Sequence, residues 1–181
     1  QVLAGMWEFA TNYTFGAVAF TSYGGFWLSF ATMEQFWTPT GNASERDIHL
    51  AVGMFLLAWT IFTFYMTIGS FRMSVSLAIV FVPLEITFVL LTIGAYSGNR
   101  TVTAVGGWFG ILTAAAAWYA SSAILINNTY GVHLLPVGVI GPLAKKPKLP
   151  EIFKVWQRER KSLSDPSTAD PSVEMSAANT V

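Results

Sequence analysis

Few side chains in this sequence can do chemistry, and most of them sit inside two uncharged runs. From Tyr13 to Met33 no residue carries a charge, yet Thr21, Ser22 and Tyr23 follow one another there. Hydroxyls in such a run can donate hydrogen bonds to a passing anion, and a phenol adds an aromatic edge that narrows a passage. The plainer alternative for Thr21 and Ser22 is a bond back to their own helix, which is common. For Tyr23, read from composition alone, an interfacial or packing tyrosine prevails. The second run holds Glu85, a carboxylate in an otherwise uncharged stretch. Placing it at mid-bilayer costs about 2.5–3.5 kcal/mol by analogy with Asp, so a bundle-facing partner is expected. A protonatable group beside a pore suits proton-coupled uptake of a weak acid. A structural Glu facing Thr87 or another helix is the reading the residues favour. Glu8 and Asn12 precede the first run and Thr14 lies at its start, where they orient a mouth or cap the next helix.

Other chemistries find no support. There is no cysteine, hence no disulfide, thiolate ligand or thiol nucleophile. His49 and His133 cannot form a metal cluster alone. No phosphate loop, nucleophile elbow or metal spacing is present. The sequence points to no enzyme, no cofactor, no metal and no nucleic-acid partner.

The elements that position these residues are membrane helices. Hydrophobic residues make up 53% of the chain and charged residues 11%, against about 25% charged in soluble domains. A span of about 20 residues crosses the hydrocarbon core, which predicts an all-α, polytopic bundle with about four complete spans, at 15–33, 50–71, 74–95 and 102–125. The first ten residues, ending in Trp7, Glu8 and Phe9, read as the tail of a helix that begins upstream. Ala17, Thr21 and Gly25 recur every four residues, as do Gly106, Gly110 and Ala114. Such small-residue faces let another helix or subunit approach closely. Trp27, Trp108 and Trp118 read as packing or interfacial residues. Residues 34–48 and 96–101 read as loops. The stretch TYGVHLLPVGVIGP is apolar but broken by Gly131, Pro136, Gly138, Gly141 and Pro142, and predicts a docked irregular segment closing a bundle over 1–143.

The region 144–181 reads as a basic, then disordered, cytoplasmic tail. Seven of the ten Lys and Arg fall at 145–161, which places the C-terminus inside. Arg72 then lies on an inner turn and the loops at 34–48 and 96–101 face outward, each with a glycosylation triplet, of which Asn42 is the better acceptor. Ile152, Phe153 and Trp156 among basic residues suit either a helix at an anionic membrane surface or a solvated tail.

The run GMWEFATNYTFGAVAFTSYGGFWLS resembles the signature of the acetate uptake transporter family, the succinate–acetate permeases and their fungal relatives. The resemblance continues through PLEITFVLLTIG (83–94), AVGGWFG (104–110) and YGVHLLPVG (130–138), and covers roughly 3–140. It implies a six-helix, channel-like permease for acetate and related short carboxylates, possessing one pore per subunit in a homo-hexamer of the plasma membrane. The family's pore narrows at a Phe, Tyr and Leu ring. The resemblance puts its Tyr on Tyr23 and its Leu on Leu84. Its Phe lies in a first helix, after an Asn-Pro-x-Pro-Leu-Gly motif, and neither occurs in this sequence. Two competing functions remain: a non-transporting relative in acetate or ammonium sensing, with Ser162 or Ser164 as phosphorylation points, and an oligomer scaffold.

Overall fold

Residues 1–37 and 44–140 are described by the computed structural model, and the regular elements among them are all helical: α1 (Val2–Ala10), α2 (Thr14–Thr32), a π-helical turn (Met33–Trp37), α3 (Glu45–Ser70), α4 (Val75–Ser97) and α5 (Arg100–Tyr130). The glycosylation candidate Asn42 and the tail from 144 onward lie outside the described residues.

Local chemistry sets the ends of these helices. The 34–48 stretch is less of a loop than its composition predicts. Its Met33–Trp37 part continues α2 as a π turn, and α3 begins at Glu45 rather than near residue 50. Ser44 and Asp47 form a reciprocal capping box there, satisfying donors that would otherwise be orphaned. The 96–101 loop shrinks to Gly98 and Asn99. Gly98 takes the left-handed conformation (φ 63°) that ends α4, and the Asn99 side chain accepts from Thr101 N and Val102 N to start α5. At the opposite end, α5 continues past residue 125 to Tyr130, until Gly131 turns left-handed. Pro83 lies inside α4. It has no N–H for the carbonyl four residues back, and Thr87 Oγ1 donates to the Pro83 carbonyl at 2.8 Å.

Two packing units result. In the first, α1 and α2 form an antiparallel hairpin turning at Thr11–Tyr13, with Asn12 left-handed at φ 60°, a conformation Asn tolerates better than most residues. The helices touch closely. A Cβ added to Gly5 would lie 2.5 Å from Thr21 N and 3.0 Å from Ala17 O, and one on Gly24 would lie 2.7 Å from Val2 N. In the second, α4 packs between α3 and α5. Hydroxyls stitch α3 to α4: Thr60 and Thr92 are 3.0 Å apart, and Thr67 Oγ1 reaches the Phe81 carbonyl at 3.3 Å. Glycines admit α5 to α4, because a Cβ on Gly106 would lie 3.1 Å from Leu91 and one on Gly94 would lie 3.1 Å from Thr103 N.

The segment after α5 folds back onto the start of α4. Asn127, buried in α5, accepts from Leu134 N (2.8 Å) and Leu135 N (2.9 Å) and donates to Leu135 O (2.8 Å). Val75 N and Ser76 N donate to Gly138 O and Val137 O, and Ile140 N donates to Met73 O. Tyr119 adds a bond to Pro136 O at 2.9 Å. Backbone groups that no helix could satisfy are thus paired at the bundle's end.

Three described helices, α3, α4 and α5, are long and apolar enough to cross a membrane. The 19-residue α2 has the length, but its hydroxyls and glycines dilute its apolarity. Only 28% of the apolar stretches of α3 and α4, and 17% of that of α5, is buried within the chain. An apolar helix with most of its surface uncovered faces lipid or other protein.

Candidate functional site

The hairpin and the α3–α4–α5 unit meet through side chains far more than through backbones, and most of those side chains are aromatic. Tyr23 of α2 sits at the junction. Its ring packs edge-on to Phe62 (5.3 Å between centroids) and lies 6.0 Å from Trp59 and 6.1 Å from Phe81. One turn along α2, Phe26 meets Trp59 at 5.1 Å, Phe88 at 5.4 Å and Phe55 at 5.5 Å. One turn further stands Phe30, stacked on Phe26 at 5.7 Å. Rings at these separations and angles attract beyond their buried area.

Two apolar clusters form along this seam. Ala19, Met66 and Phe81 make one, and Phe26, Leu56 and Phe88 the other; Tyr23 and Leu84 pack against both. The phenol is tied down by one polar contact, with Tyr23 Oη and Thr63 Oγ1 2.9 Å apart. Thr63 is fully buried, whereas Tyr23 is partly exposed. Trp59 and Phe62, which pack on Tyr23, also line a groove of about 490 Å³ that opens between Ser22, Gly25 and Ser29 of α2 and Ala58, Trp59 and Phe62 of α3. A second groove of about 630 Å³, lined by Ser29, Thr32, Met33, Phe36 and Ala51, shares Ser29 with it.

The other sequence candidates divide. Ser22 lines the groove. Gly25 lines it too, with nothing within 4 Å of a Cβ placed there, so within this chain it makes no close helix contact. Thr21 turns instead toward α1, where its Oγ1 is buried against Gly5 with no hydrogen-bond partner among the described residues. Ala17 is fully buried against the same helix. Glu85 follows Leu84 on α4, and its Oε2 is buried without a hydrogen-bond partner among the described residues. Asn12 and Thr14 are exposed at the α1–α2 turn. Nearby, burial and then the charge of Glu8 push the Tyr13 phenol up to about 12. Gly106 and Gly110 face α4, while Ala114 is exposed. Thr63, Trp59 and Phe62 escaped the sequence reading. Thr63 alone left a signal, as one of a stripe in which Thr60, Thr63, Thr67 and Ser70 recur at helical spacing, though the stripe does not tell which of them meets Tyr23.

The described helices form an apolar membrane bundle with a hydroxyl pair set among aromatic rings and little charge. Residues 1–140 match the GPR1/FUN34/yaaH family, and the chain belongs to that acetate transporter family. It is 38% identical over 153 residues to acetate permease A of Emericella nidulans, an alignment covering 76% of this chain and 50% of that one. It is 33% identical over 138 residues to the succinate-acetate/proton symporter SatP of Escherichia coli K12, covering 76% and 72%. The solved structure of the bacterial acetate channel SatP superposes with a TM-score of 0.69 at 32% identity, covering 76% of this chain and 75% of that one. The chain spans about half the length of the curated fungal relatives it matches. It is an all-helical integral membrane protein.

Proposed function

We propose that this chain lines a permeation pathway for acetate and related short monocarboxylates, narrowed at Tyr23 and Leu84. The carrying observation is the position of these two side chains, which together touch both apolar clusters where α2 faces α3 and α4. An apolar ring strips water from a small solute, and a phenol placed in it replaces part of the lost hydration of a carboxylate. Ser22 adds a hydroxyl on the groove side, and Asn12 and Thr14 stand at the mouth by the α1–α2 turn. In this reading α2 also spans the bilayer. Residues 1–143 form the bundle and 144–181 a cytoplasmic tail, the membrane is the plasma membrane, and the chain works without enzymatic chemistry as a homo-oligomer. Gly106, Gly110 and Ala114 supply helix or subunit contacts.

Glu85 supplies the protonatable group for coupled uptake. It follows Leu84 directly, and its buried Oε2 lacks a partner among the described residues. Glu85→Gln is expected to reach the membrane and to flatten the pH dependence of uptake. Uptake varying with pH as in the unaltered chain would remove Glu85 from the coupling path.

The deciding experiment is labelled-acetate uptake into cells lacking their own acetate permease, with acetate permease A as positive control. The chain should raise uptake above empty cells, and Tyr23→Ala should relax selection against longer monocarboxylates such as butyrate. A chain present in the membrane that carries no acetate would overturn the reading.

A further inference from the structure

We infer that Thr63 is a positioning residue that aims the Tyr23 phenol: Thr63 donates its hydroxyl hydrogen to Tyr23 Oη, leaving the phenol hydrogen free for a permeating carboxylate. The last step rests on the permeation reading; the donor assignment does not. The two hydroxyls lie 2.9 Å apart and geometry alone allows either to donate. Between them they hold two hydrogens and share one bond, so one hydrogen is left over.

Burial decides which. The neighbouring threonines of α3 place their hydrogens on carbonyls four residues back, Thr60 on Leu56 O at 2.9 Å and Thr67 on Thr63 O at 2.8 Å. For Thr63 the hydroxyl partner among the described residues is Tyr23. Were Tyr23 the donor, the leftover hydrogen would be Thr63's, enclosed in a residue with 0% exposure, and a buried donor without an acceptor is costly. With Thr63 as donor, the leftover hydrogen belongs to the partly exposed Tyr23, whose ring packs against Trp59 and Phe62, two residues that line the groove. A phenol that already accepts one hydrogen bond is also a better donor in the next. The result is a relay of fixed direction, from Thr63 to Tyr23 to an anionic acceptor.

The test uses the full chain carrying Thr63→Val, Thr63→Ser, Tyr23→Phe or Thr63→Val with Tyr23→Phe, at matched membrane levels. Thr63→Val keeps the shape and removes the donor. It should raise the apparent KM for acetate about tenfold, the scale of one lost hydrogen bond, with the maximal rate little changed. Thr63→Ser should restore the KM. The double variant should match Tyr23→Phe. Additive losses, or a Thr63→Val chain with unaltered KM, would overturn the inference.

Ultraviolet resonance Raman spectra of the purified chain separate this outcome from failure of the permeation reading. The tyrosine doublet of Tyr23, isolated as the difference from Tyr23→Phe, should show a phenol accepting a hydrogen bond and lose that character in Thr63→Val. A phenol that only donates overturns the inference whether or not acetate crosses. An accepting Tyr23 in a chain that carries no acetate upholds the donor assignment and overturns the permeation reading instead.

Discussion

Two glycines of the same sequence stretch behave oppositely once folded. Gly5 lies where α1 and α2 touch, so Gly5→Ala forces its new methyl onto the Thr21 backbone. That overpacking should cost about 1–3 kcal/mol, read as a lower unfolding midpoint in detergent. Gly25→Ala meets open space and should leave the midpoint unchanged; a shift equal to that of Gly5→Ala would mean that another surface covers the groove. The spacing of Ala17, Thr21 and Gly25 had suggested one packing face. Ala17 and Thr21 do face α1, but Gly25 faces the groove, because a four-residue step drifts around the helix by about 40° each time. Periodicity could therefore find the stripe without telling which of its members touches a neighbour. Tyr23 was legible through its motif, whereas its partner Thr63 was hidden in a run of similar threonines, since a contact forty residues away in sequence leaves no local trace.

At the scale of elements, helix existence was easy to read and helix ends were not. Uncharged runs located α3, α4 and α5 because the hydrocarbon core demands them, but the ends were set by caps that extend into polar sequence. Ser44→Ala should therefore destabilise the start of α3 by about 0.5–2 kcal/mol, seen as faster amide exchange at Asp47 and Ile48; unchanged exchange would leave the capping box without consequence. The first part of the segment after α5 is held by the Asn127 side chain. Asn127→Ala strands Leu135 N and Leu135 O, while Leu134 N keeps the Val132 carbonyl, and should cost at least the roughly 1–3 kcal/mol of a single buried orphan. Limited proteolysis within 132–140 reads this directly, and equal cleavage of the variant and the parent chain would show that the segment is held elsewhere.

For the whole molecule, the sparse burial of α3, α4 and α5 leaves apolar surface for lipid and for other copies, with Trp118 78% and Trp108 68% exposed. Sidedness is open to a clean measurement because the chain has no cysteine. A single Arg72→Cys should react with impermeant maleimide only from the cytoplasmic side, and Ser97→Cys only from outside. The reverse pattern would invert the orientation drawn from the basic tail. The class of protein was legible from composition and the family from one long motif. The two-unit packing was not, since no local pattern records that rings, rather than backbones, join α2 to α3.

The fold-back after α5 has one more consequence. Residues 137–140 bind Met73–Ser76, while the Gly98–Asn99 turn joins α4 to α5 at the other end. The two helices are thus fastened at both ends, once covalently and once by hydrogen bonds. A chain severed between Gly98 and Asn99 should still assemble when both pieces are made in the same cell, and the smaller piece should be retained on the larger through detergent extraction. The same cut made in an Asn127→Ala chain should weaken that retention.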